Sequence, residues 1–202
     1  MVTLENESKR PGDTRERILK EAEKLYHEGG YDKISLQEVA EALGIKKAAL
    51  FYHYKNKQEL FYAMLKAMVE RMHLVIVSTL TQAEPAARDR LRAVLQRMTL
   101  EPDFDTMHFL RNDYEMLSDE QRREMQQLWN NGLYMPLRQI FQEGVEKGEL
   151  KAHSLDTATY MFLNLWTLLP RVDSPMNKYR RNRINASDYI DEMLDLFLNG
   201  IN

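Results

Sequence analysis

The chain has no cysteine among its 202 residues. That absence excludes disulfides, thiol nucleophiles, thiol redox sensing and cysteine-ligated zinc. Glycine and proline are scarce, at eight and six residues. With Leu, Met, Glu, Gln and Lys abundant, this is the composition of an all-α chain. Long hydrophobic runs are lacking too. The most apolar stretch, from Tyr160 to Leu169, is too short to span a bilayer and contains Asn164. The opening MVTLENESKRPGD is polar, without the apolar core of a secretory signal. The expectation is a cytoplasmic protein with no membrane partner. A basic excess is also missing: the net charge is −3, and residues 1–60 hold 11 Lys/Arg against 11 Asp/Glu, residues 61–202 17 against 20. Any affinity for nucleic acid must come from a local patch. Histidine occurs only at positions 27, 53, 73, 108 and 153, which leaves few acid–base candidates. Glu70 and His73 have the Glu-x-x-His spacing of a carboxylate-bridged di-iron helix, but the required second copy is absent. Neither an enzyme nor a resident metal or cofactor is expected.

What is present is concentrated between Lys33 and Leu60, KISLQEVAEALGIKKAALFYHYKNKQEL. Ser35 and Glu38 have capping-box spacing, which opens a helix. Leu36, Val39, Ala40 and Leu43 form its buried stripe. Gly44 suits the turn that follows, where a positive φ is favoured. A second helix runs from about Lys46 to Tyr54. Leu50, Phe51 and Tyr54 cluster on one side of it, leaving Ala48, Ala49, Tyr52 and His53 on the other. This is a helix-turn-helix pattern. From Gly44 to Lys57 there are four lysines, Lys46, Lys47, Lys55 and Lys57, and no acidic residue. Such a surface favours phosphate, and alanines on the exposed face let a helix approach base edges and thymine methyls. The expected base-proximal residues are Gln37, Lys47, Ala48 and Tyr52, with Ala49 beside them; Lys46, His53 and Lys57 are expected on phosphates. The same spacing also suits an amphipathic helix pair inside an ordinary bundle, with the lysines merely solvated.

Along the remainder, residues 1–12 read as a flexible arm bearing Lys9 and Arg10. A first helix begins near Asp13 and stops at Gly29-Gly30. Helix four opens at Asn56 and carries Leu60, Phe61, Met64, Met68 and Met72. Further helices are expected from Pro85, from Phe104 to Leu117, and from the Ser118/Gln121 capping box to about Lys147. Pro136 lies inside the last of these and should kink or split it. Ser154–Arg171 and Ser187–Asn199 complete the set, separated by a basic loop over 172–186.

Residues 13 to 64 resemble the DNA-binding domain of the TetR family of bacterial repressors. The resemblance rests on Gly30-Tyr31, Ser35, Val39-Ala40, Leu43-Gly44-Ile45, Leu50 to Tyr54, Lys55-Asn56-Lys57 and Glu59-Leu60. Two positions depart from the pattern: Lys46 stands where the family commonly has a capping Ser, and Phe51 where it commonly has Tyr. The resemblance implies a three-helix DNA-binding domain over 13–58. It also implies a helical ligand-binding and dimerisation domain over 59–202. The expected partners are double-stranded operator DNA, a second copy of the chain, and an apolar effector such as an acyl-CoA, a fatty acid or an aromatic or cationic drug. Met and aromatic side chains crowd the middle of the chain, as in an apolar cavity. Candidate ligand residues are Met98, Met107, His108, Arg111, Tyr114, Trp129, Tyr134, Asn164 and Trp166. Candidate dimer residues are Met161, Leu165, Leu168, Ile190, Met193, Leu194 and Phe197. A TetR-like regulator that needs no ligand, an activator or division-associated factor, is the alternative, and a purely structural helical adaptor a third.

Overall fold

The computed structural model describes residues 11–80, 86–100, 108–151, 154–166, 169 and 186–200. Residues 1–10 of the arm expected over 1–12, Met107, Leu168 and residues 172–185 of the basic loop lie outside these. Among the described residues the secondary structure is helical throughout. The helices are α1 (Pro11–Lys33), α2 (Leu36–Leu43), α3 (Lys47–His53), α4 (Lys57–Leu80), α5 (Ala87–Met98), α6 (Asp119–Trp129), α7 (Met135–Glu146), α8 (Leu155–Leu165) and α9 (Ala186–Asn199). Two compact units result, one of Met1–Ala67 with Met107–Arg122, the other of Met68–Thr106 with Arg123–Asn202. The first takes in the start of α4 and a later segment as well as the helix-turn-helix.

In the first unit, Ile18, Ala22 and Tyr26 of α1 meet Val39, Ala40, Leu50, Leu60 and Phe61 in a closed core. Helix α1 is interrupted at Gly29 and Gly30, whose φ is +71°. A side chain on Gly30 would meet His108 Nε2 at 2.5 Å and Asp113 Oδ2 at 3.2 Å. Asp113, itself buried, accepts the Tyr31 backbone N–H at 3.3 Å and lies 3.3 Å from His108 Nε2. Phe109 packs on Phe61, and Gln58 donates to the Met116 carbonyl at 2.6 Å. The segment holding these residues is a π turn (Phe109–Asp113) followed by a 3₁₀ turn (Tyr114–Met116), not the single α-helix expected.

In the second unit, α5 packs on α7 and α9, and α7 on α8. The expected break near Pro136 takes a specific form: a π turn over Asn130–Tyr134 joins α6 to α7. Proline has no N–H to offer the carbonyl four residues back, and its ring crowds that carbonyl. That carbonyl belongs to Gly132, and His73 Nδ1 approaches it at 2.8 Å. Since the carbonyl can only accept, Nδ1 carries the proton. An added Cβ at Gly132 would rest in ordinary van der Waals contact with His73 and Val69, at 3.6–3.8 Å.

Candidate nucleic-acid interface

The turn that presents α3 is built as its sequence requires. Ser35 Oγ accepts the Glu38 N–H at 3.3 Å. Gly44 adopts φ 64°, and the Ile45 N–H returns to the Ala40 carbonyl at 3.0 Å. That satisfies the last carbonyls of α2 and turns the chain sharply. Leu50 is fully buried and Tyr54 is 5 % exposed, its hydroxyl taking an N–H from Arg15 Nε at 3.2 Å. These two contacts fix the rotation of α3 about its axis. No side chain caps the start of α3, where Lys46 stands at the N-cap.

That rotation turns Lys46, Lys47, Ala48, Ala49, Phe51 and Tyr52 outward. Tyr52 is 87 % exposed, with its ring edge-on to half-buried His53. Phe51, expected on the buried side, is instead 41 % exposed, with Lys47 Nζ 5.7 Å from its ring centre. The helix faces inward through Leu50 and Tyr54 alone, so Phe51 joins the outer face. Gln37 is exposed on α2 and pairs with Glu41 at 2.9 Å. Lys57 differs from expectation more sharply. Its Nζ donates to the Asp32 carbonyl at 3.0 Å and sits 4.4 Å over the Tyr31 ring, so it ties α4 to the end of α1 and is already engaged.

At roughly 1.5 Å per residue, α3 is about 10 Å long, a length suited to one passage across a major groove. Its outer face offers cations for phosphate, hydroxyl and imidazole hydrogen-bonding groups, and small or aromatic apolar contacts for bases. No carboxylate occurs between Gly44 and Lys57 to oppose them.

The other expected sites fare unevenly. His108, Arg111 and Tyr114 belong to the first unit, and Met98, Trp129, Tyr134, Asn164 and Trp166 to the second. Within the second unit, Met98 and Trp166 are buried and line one narrow seam, too tight for a water molecule. Trp129 meets Trp166 edge to face at 6.1 Å. Asn164 is exposed and donates to the Tyr160 carbonyl, and Tyr134 donates to Asp156 at 2.6 Å on the surface. Of the dimer candidates, Ile190, Met193 and Leu194 are buried within the chain. They pack where α9 meets α5, a seam flanked by the Arg92–Asp191 and Arg88–Asp195 pairs, and so offer nothing to a partner. Phe197 meets Phe141 edge to face and Phe162 at a tilt. Met161 is 55 % exposed, as are Tyr160 at 58 % and Leu196 at 48 %, two residues that the sequence did not single out for this role. An open apolar groove of about 340 Å³, lined by Phe141, Leu155, Met161, Phe197 and Leu198 among others, lies on the same helices.

Comparison with known proteins bears on this surface. Residues 18–64 match the profile described as "Bacterial regulatory proteins, tetR family". The HTH-type transcriptional repressor Rv1474c of Mycobacterium tuberculosis is 33 % identical over 89 residues, 44 % of this chain and 42 % of that repressor. The chain thus spans less than half of that relative's length. The biofilm operon icaADBC negative transcriptional regulator IcaR of Staphylococcus aureus is 22 % identical over 187 residues, 91 % of this chain and 98 % of IcaR. Among solved structures, the TetR-family regulator PfmR of Thermus thermophilus superposes with a TM-score of 0.69 at 26 % identity, covering 92 % of this chain and 99 % of PfmR.

Proposed function

We propose that the chain, whose residues 18–64 match the tetR-family profile, is an effector-responsive transcriptional repressor of that DNA-binding family. It binds a palindromic operator in the cytoplasm as a homodimer and leaves it when a small, largely apolar molecule enters the second unit. The observation that carries the DNA-binding part is the acid-free outer face of α3, with Tyr52 87 % exposed. Lys47, Ala48, Phe51 and Tyr52 read bases, with Gln37 and Ala49 alongside; Lys46 and His53 hold phosphates. The partner copy seats on the Tyr160–Met161–Leu196 surface and the groove beside it, where apolar side chains are exposed.

Band-shift titration against DNA flanking the chain's own coding sequence tests the reading. Lys46→Ala should weaken binding on every sequence and reduce the slope of log K against log salt by about 0.9, the loss of one phosphate contact. Tyr52→Ala or Lys47→Ala should change sequence preference, at roughly 1–3 kcal/mol per lost base contact. If all three variants bind as the parent does, with the same salt slope and preference, α3 is not the reading helix. A ligand-independent regulator is the second reading, favoured by the tight packing around Trp166. Operator release by candidate effectors separates the two.

A further inference from the structure

Arg90 of α5 stands where an apolar residue would be expected. It is 5 % exposed, in a row with Leu91, Val94 and Leu95. Its Nη1 donates to Glu143 Oε2 of α7 at 2.6 Å. Its Nε and Nη2 are buried with no hydrogen-bond partner among the described residues. An unmet buried donor is costly, and more so on a charged group. A helix pair that needed only a filled interior would do as well or better with an apolar side chain there. The two orphaned nitrogens share one edge of the guanidinium, and that edge matches the two oxygens of a carboxylate.

Glu143 does not compete for this edge. It is occupied by Nη1 and by Gln139, which donates to its other oxygen at 2.8 Å. Its carboxyl is held below its usual range, first by the Arg90 hydrogen bond and then by Gln139, with Lys147 adding a favourable charge. The Glu143 side chain also keeps 33 % of its surface in solvent. A second negative charge on Arg90 is therefore offset by Lys147 and by partial solvation of Glu143.

The apolar half of a site lies alongside. Val94 and Met98 follow Arg90 at one-turn intervals on α5, and Leu137 lies on α7 ahead of Glu143. These three line the narrow seam together with Ile76, Phe162 and Trp166. From Arg90 to Met98 the helix rises about 12 Å.

We infer that this seam, together with the Arg90 guanidinium one turn before Val94 on α5, is the seat of the effector, and that the effector is a medium-chain aliphatic carboxylic acid. The carboxylate takes the Nε and Nη2 donors. The chain parts the seam between α5 and α7 and replaces its apolar contacts out to Met98 and Trp166. This rests on the effector-responsive reading above and gives it a chemical class. An alcohol of equal length lacks the second oxygen and the charge; an amine has the wrong charge beside Arg90.

The test is direct binding to the full-length protein without DNA, following tryptophan emission, because Trp166 lines the seam. Decanoate, 1-decanol and decylamine are the probes. Decanoate should give a saturable change, with decanol weaker by roughly tenfold or more and decylamine weaker still. Arg90→Met should erase the preference for decanoate while decanol still binds. Because Arg90→Met strands Glu143, the double variant Arg90→Met/Glu143→Met repeats the comparison in a neutral interior, with a thermal melt to confirm folding. Equal affinity for decanoate and decanol, a preference that survives in the double variant, or no saturable response would overturn the inference. The orphaned donors would then hold an internal water only. Operator release is scored separately. Arg90-dependent decanoate binding that leaves the operator complex intact would sink the effector reading and leave the carboxylate site standing.

Discussion

Replacing His73 with leucine should destabilise the protein through a carbonyl 59 residues away. Helix α7 carries Pro136 near its start, and the carbonyl that a helical residue 136 would satisfy is that of Gly132. His73 Nδ1 donates to it at 2.8 Å in a partly buried setting, and Gly132 is buried. Leucine fills a similar volume without a donor. The cost is then mainly that of stranding the carbonyl, about 1–3 kcal/mol. For a chain of this size each kcal/mol lowers the melting temperature by roughly 2–4 °C. The decisive measurement is a double-mutant cycle with Pro136→Ala, which returns an N–H to position 136. With that donor available, His73→Leu should cost less by about 1 kcal/mol or more, a coupling normal for groups sharing one acceptor. A His73 Nδ1 proton visible by ¹⁵N-edited NMR should accompany the parent and vanish in the variant. If His73→Leu costs the same in both backgrounds, the residue acts by packing alone and the replacement argument is wrong.

Three further outcomes follow from the same structure. Gly30→Ala combines φ +71° and ψ −161°, a region nearly confined to glycine, with a Cβ 2.5 Å from His108 Nε2, so it should lose more than the roughly 1–3 kcal/mol of the dihedral alone. Adding His108→Ala should recover only the steric share, and full recovery in thermal melts would refute the dihedral part. Met161→Asp should give a folded monomer by sedimentation with much weaker operator binding, because Met161 is 55 % exposed on the proposed dimer surface; a dimer that persists places the interface elsewhere. Acid should destabilise the second unit. Hydrogen bonds chiefly from Arg90, Tyr134 and Arg92 hold the carboxyls of Glu143, Asp156 and Asp191, respectively, below their usual range. A folded-state value lower than the unfolded one means stability that is complete above the unfolded carboxylate range. It is lost as pH falls from about 4.5 through the lower folded values. Glu143→Gln should flatten that loss in melts across pH 5 to about 2.5, and an unchanged profile would show that Glu143 does not contribute.

The helix-turn-helix was readable from sequence because its determinants are local. Ser35 caps a helix whose first turn lies three residues on, and Gly44 turns the chain within one residue of the helix it ends. The Ser118/Gln121 capping box, equally local, forms with both of its hydrogen bonds. Non-local choices were not readable. An apolar stripe says that a face is buried, not what buries it, so Ile190, Met193 and Leu194 suited a partner subunit as well as α5. Lys57 looked like a free cation in a basic run, because the Asp32 carbonyl it reaches is 25 residues earlier. Phe51 was assigned inward from its neighbours Leu50 and Tyr54, but a seven-residue helix can rest on two anchors and leave the third aromatic outside.

The buried polar residues whose roles the sequence did not show share a signal. Arg90 stands one turn before Val94, His73 one turn after Val69, and Asp113 one turn after Phe109. In each case a polar group lies four residues from a buried apolar one, on the same helical stripe. On an ordinary amphipathic helix such a position costs desolvation and is filled by an apolar residue. A polar group persists there when something off the helix needs it. For His73 that something is the carbonyl freed by Pro136, and for Asp113 it is the Tyr31 N–H beside a glycine that has no room for a side chain. Among the described residues, Arg90 has one of its three donor nitrogens answered. By the same logic, the remaining two are the donors to which the proposed carboxylate is assigned.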